Sequence, residues 1–78
     1  MLKESMTENA KAHAVDFAER MIKAGFTRLE SITLLNGVIE LFERENDFSD
    51  LSEGDIGAIN GQMVKAFIDT FLDHGIEQ

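Results

Sequence analysis

The sequence of 78 residues predicts an all-α fold: a small bundle of three main helices at about residues 5–24, 28–45 and 52–74, completed as a homodimer. Three observations lead there. Apolar residues recur at spacings of three and four along most of the chain, which is the period of a helix with one buried face. No Pro interrupts it, and the clear breaks fall only near Gly25 and in residues 46–52. The last helical stretch carries two apolar stripes where a helix with one core to bury needs one.

The first helix is the cleanest amphipathic pattern. Residues 1–4 are expected to fray, and Ser5 followed by Glu8 has the spacing of a capping box. Ala10, Ala14, Val15, Phe17, Ala18, Met21, Ile22 and Ala24 share one half of the helical wheel. Asp16, Glu19, Arg20 and Lys23 take the other half, with Lys11 at the margin. The many Ala allow a neighbouring helix to approach closely. Gly25 supplies a left-handed stop, and Lys23 sits near the negative end of the helix dipole.

Thr27 and Glu30 repeat the capping-box spacing, and the connection is short enough to fold the second helix back on the first. Its expected core stripe is Leu29, Ile32, Leu35, Val38, Ile39 and Phe42. Leu34 and Leu41 widen that stripe beyond what one neighbour covers. Asn36-Gly37 is also a hairpin signal, but the apolar residues follow the helical period better than alternation, and no other stretch completes a sheet.

Residues 46–52 form a loop in which Phe48 and Leu51 are expected to plug the end of the bundle. Ser52 is the expected N-cap of the third helix, with Glu53 and Asp55 favoured in its first turn by the dipole. The main stripe of this helix is Ile56, Ile59, Met63, Phe67 and Phe71. The second is Gly57, Gly61, Val64, Ile68 and Leu72, and it is the expected oligomer interface. Two glycines cost a helix roughly 1 kcal/mol each relative to Ala, a cost that close helix packing offsets. Gly75 ends the helix and Ile76 is placed for the apolar contact that accompanies such a cap.

A chain this short forms one domain and is marginal as a monomer. Small domains find support in disulfides, metals or oligomers. Cys is absent and only His13 and His74 are present, so oligomerisation is the most accessible support. No apolar run reaches the ~20 residues of a membrane span, and the N-terminal residues do not read as a secretory signal. The expected location is cytoplasmic.

Net charge is −8, and all of it resides in the second half. The acids and bases of residues 1–39 cancel, whereas residues 40–78 hold ten acids against Arg44 and Lys65. Seven acids fall together: Glu40, Glu43, Glu45, Asp47, Asp50, Glu53 and Asp55. Such a field repels phosphate backbones and argues against direct nucleic-acid binding. A calcium loop is a poor fit: a register with Gly54 at the sixth position puts Leu51 at a ligand position and Asn60 where a bidentate Glu is needed. Glu40 and Glu43 lack any sign of a pocket that would shift their ionisation for acid–base work. Neither His has a partner at metal-ligand spacing or a neighbouring nucleophile. No catalytic residue, metal or cofactor is expected.

In size, acidity and helical content the chain resembles small phage- or plasmid-encoded regulators and inhibitors, a likeness of composition that no residue motif carries. The expected function is that of a non-enzymatic interaction protein, a regulator or inhibitor. Its acidic surface (Glu40, Glu43, Glu45, Asp47 and Asp50) would engage a basic protein surface, one version being a groove in which that partner binds nucleic acid. Two other classes fit the pattern: a small-molecule or lipid-binding helical module, and a helical subunit or chaperone of a larger assembly.

Overall fold

The computed structural model describes the backbone of residues 2–76 and the side chains of residues 4–76. Three helices make up the described chain, with no strand among them: α1 (Leu2–Lys23), α2 (Arg28–Glu45) and α3 (Glu53–Asp73). The bundle measures 38 × 19 × 17 Å. Its long axis matches a helix of 22 residues, which spans about 33 Å. Most helix–helix contact is between α1 and α3, and α2 packs more lightly on both. Stacking of Phe17 on Phe67 and the meeting of Ile22 and Lys23 with His74 show that α1 and α3 run parallel. The tight turn after α1 and the contact of His13 with Phe42 send α2 the other way.

Both glycine stops form as expected. Gly25 and Gly75 adopt φ of 89° and 75°, the left-handed region that other residues enter at a cost. Each terminates a Schellman motif. Phe26 N–H donates to the Met21 carbonyl at 3.0 Å and Gly25 N–H to that of Ile22 at 3.1 Å. Ile76 N–H donates to the Phe71 carbonyl and Gly75 N–H to that of Leu72, both at 2.9 Å. These bonds satisfy carbonyls that the helix ends would otherwise orphan.

The core joins a line of small residues to a line of large ones. Ala10, Ala14 and Ala18 are fully buried on α1, with Met6 completing the line one turn earlier. Ile59, Met63, Phe67 and Phe71 are buried on α3, and Ile56 is half-buried. Three of the small side chains are methyl groups, so the α1 backbone can come close to the bulky row opposite. Phe48 and Leu51 pack against the core from the loop, and Ile76 does so from beyond α3.

Two expectations require correction. Helix α1 begins at Leu2, not at Ser5. Leu2, Lys3 and Glu4 are good helix formers with no breaker beside them, so the helix runs through Ser5, and Glu8 pairs with Lys11 at 3.7 Å instead of closing a capping box. Met1 lies outside the described residues. On α2 the buried line is Ser31, Leu35 and Phe42; Val38 and Ile39 are half-buried on its flanks. Leu29 is 75% exposed, and Ile32 is exposed as well. Phe42 and Leu35, one heptad apart, set the rotation of the helix. Ser31 then falls on the same line, and its burial leaves nothing unpaired because its hydroxyl donates to the Thr27 carbonyl at 2.8 Å. Leu29 is left about 140° away around the helix. Asn36 and Gly37 lie inside α2, which settles the hairpin alternative against it.

Phe67 is fully buried between the rings of Phe17 and Phe71, with centroids at 5.9 and 5.0 Å. Phe67→Ala is expected to destabilise the fold by about 3–5 kcal/mol, read as a lowered urea midpoint. An unchanged midpoint would remove this ring from the core.

Candidate functional site

The acidic residues collect at one end of the bundle because of the topology. The C-terminal half of α2, the loop and the first turn of α3 all meet there. Glu40, Glu45, Asp47 and Asp50 are exposed and Glu43 is half-buried. Local bonds fix the backbone that carries them. Asn46 ends α2, with its backbone N–H and its Nδ2 both donating to the Phe42 carbonyl, at 3.1 and 2.9 Å. The Asp47 carboxylate accepts the Ser49 N–H at 2.9 Å. Hydrogen bonding from the Ser49 side chain and backbone holds that carboxyl below its ordinary value. Leu51 N–H donates to the Phe48 carbonyl at 3.0 Å, and the Phe48 ring meets Phe42 edge-on at 6.0 Å. The loop is thus anchored to the core while its carboxylates point to solvent. Ser52 Oγ accepts the Asp55 N–H at 3.1 Å and caps α3.

The ion pairs among the described residues, Glu8–Lys11, Asp16–Arg20 and Lys65–Asp69, lie on α1 and α3. None of them neutralises Glu40, Glu43, Glu45, Asp47 or Asp50. Arg44 is the one base in residues 40–55.

The second stripe of α3 lies on a different surface. Gly57 and Gly61 are exposed, and a Cβ added at either would meet nothing within 4 Å. Packing inside this chain therefore gives no reason for either glycine. Val64 and Ile68 are half-buried at the edge of the core, and Leu72 is 48% exposed. No charged residue interrupts this line. The neighbouring Lys65 and Asp69 pair with each other at 2.9 Å.

A third surface was only half legible in the sequence. Leu34 and Leu41 are 50% and 55% exposed on α2, with half-buried Val38 between them. Their widening of the α2 stripe was the available signal. The rotation of α2 turned them outward.

Both histidines have structural roles. His13 sits edge-on to Phe42 at 5.4 Å, and His74 Nδ1 lies 2.9 Å from the Thr70 carbonyl at the end of α3. A crevice of about 610 Å³ between the C-terminal ends of α1 and α3 is lined by Asp16, Glu19, Arg20, Ile22, Lys23 and His74. Ile22 is its one large apolar residue, among two acids, two bases and His74. Among the described residues, no three His, Cys, Asp or Glu side chains gather to hold a metal, and no helix is long and apolar enough to cross a membrane. Compared with known proteins, the chain matches no family model, no curated sequence and no solved structure.

The start of α2 is held by a complete capping box. Thr27 N–H donates to Glu30 Oε1 at 2.9 Å, and Glu30 N–H donates to Thr27 Oγ1 at 3.1 Å. The bonds from the Thr27 backbone and then its hydroxyl hold the Glu30 carboxyl below its ordinary value of 4.5. A lowered carboxyl stabilises the fold above its unfolded value and loses that contribution as pH falls through the folded one. Glu30→Ala is therefore expected to lower the urea midpoint at pH 7, with the gap to wild type narrowing below pH 4.5. A gap that stays constant on acidification would contradict the ionised cap.

Proposed function

We propose that this chain is a non-enzymatic regulator or inhibitor that acts as a homodimer and binds a basic protein surface through its acidic end. One observation carries the reading: Glu40, Glu43, Glu45, Asp47 and Asp50 converge on one end of the bundle without a basic partner from the described residues. Uncompensated like charges repel and lower stability, most at low salt. A basic partner relieves that repulsion and is steered toward it. A partner groove that ordinarily holds nucleic acid is a surface of this kind, with carboxylates standing where phosphates would.

The homodimer forms through Gly57, Gly61, Val64, Ile68 and Leu72. The glycines permit a helix backbone to approach closely, and the absence of charge along the line lets two acidic chains meet there.

Reversing Glu43, Asp47 and Asp50 to Lys is expected to leave the helical circular dichroism intact and to abolish binding to the protein partner captured by the wild type. Undiminished binding would reduce the acidic end to a solvated face. Ile68→Glu places a charge in the apolar line. It is expected to convert a dimer seen by light scattering at micromolar concentration into a monomer or a less stable protein. Wild type that remains monomeric at millimolar concentration would refute the dimer.

A further inference from the structure

The exposed face of α2 names the form of the basic partner. Glu30, Leu34, Val38, Leu41 and Glu45 follow one another at spacings of four, four, three and four, so they lie in one line along the helix. The apolar middle extends two turns, about 10 Å from Leu34 to Leu41, and a carboxylate stands at each end. Gly37 lies beside Val38, with open space where its Cβ would be, so a second backbone can approach the centre of the line. Leu34 and Leu41 are about half exposed.

We propose that this line is the seat of a basic amphipathic helix belonging to a partner protein. The proposal rests on the acidic-surface reading and specifies the shape that the partner presents. Apolar residues at i, i+3 or i+4, and i+7 of the incoming helix would cover Leu34, Val38 and Leu41. Its Lys or Arg residues would then lie over Glu30 and Glu45, and an acidic residue of the same helix would meet Arg44, which flanks Leu41 three residues on. The Glu30 capping bonds both use Oε1, which leaves Oε2 for a basic side chain.

Charge decides against a second copy on this face. Two copies laid parallel oppose Glu30 to Glu30 and Glu45 to Glu45. Laid antiparallel, they oppose Glu30 to Glu45. Both arrangements bring carboxylates together at each end of the line, with Arg44 the one base beside it to offset them, whereas the uncharged stripe of α3 has no such conflict. A basic helix turns the same carboxylates into favourable contacts.

The test titrates the full chain with a synthetic helical peptide of about five turns that has Leu at a and d positions and Lys elsewhere. A twin with Glu replacing Lys serves as control. Calorimetry is expected to show saturable one-to-one binding of the Lys peptide and none of its twin. Leu34→Ser and Leu41→Ser are surface changes expected to leave the melting temperature near wild type. Together they should weaken Lys-peptide binding by about tenfold or more, and each alone should weaken it less. Amide resonances of residues 30–45 should shift on binding to wild type. Equal affinity for the double variant, with the Glu43, Asp47 and Asp50 reversal abolishing binding, would overturn the α2 seat and leave the acidic-surface reading standing. Undiminished binding by both variants would overturn the two together. Binding of the Glu twin as tightly as the Lys peptide would overturn the charge complementarity. A double variant that dissociates the wild-type dimer would assign the line to a second copy and overturn the proposal.

Discussion

The close pairing of α1 with α3 is the contact on which the rest depends. Ala10, Ala14 and Ala18 present only methyl groups to the core, while Ile59, Met63, Phe67 and Phe71 present large side chains. Small against large is how two helices come close without a void. Six Phe supply all the aromatic mass, with neither Trp nor Tyr, and Phe17, Phe67 and Phe71 spend theirs on this pair. Helix α2 is held mainly by Phe42, Leu35 and the turn that precedes it.

That division of labour explains why the apolar surface is uneven. With α1 and α3 covering each other, α2 has a single narrow line of burial, and the remaining apolar residues on it face outward. Leu29, Ile32, Leu34 and Leu41 are exposed on α2, and Leu72 is exposed on α3. A chain of this size cannot cover every apolar residue it carries. What distinguishes these faces is charge. The α3 stripe is free of it, whereas the α2 line ends in carboxylates, Glu30 and Glu45. Asn60 Oδ1 is buried and accepts no hydrogen bond from the described residues, a condition that costs stability.

The local features of the fold were legible because they are set by neighbouring residues. Thr27 with Glu30, Ser52 at the start of α3, and the stops at Gly25 and Gly75 each depend on bonds spanning a few residues. The main stripe of α3 was legible because its large residues repeat at helical spacing with no competing set of equal size. The Ser5–Glu8 spacing misled because a capping box operates only where the helix begins. Leu2, Lys3 and Glu4 gave the chain no reason to begin there.

The sequence by itself determined three helices, their stops, the buried row of α3 and the concentration of acid in residues 40–55. It could not determine the rotation of α2. Leu29, Ile32, Leu34 and Leu41 have the same chemistry as Leu35 and Val38, and periodicity alone gives no reason to prefer one set. Packing made the choice: Phe42 and Leu35 took the inward line, and Ser31 could follow because its hydroxyl is satisfied within its own helix. Tertiary structure likewise decided that the acids share one end, since that requires α2 to run back along α1 and α3 to start where α2 stops. It decided, too, that Gly57 and Gly61 face open space and not a neighbouring helix of their own chain. These outcomes depend on which surfaces meet, and surfaces meet only when the helices are placed against one another.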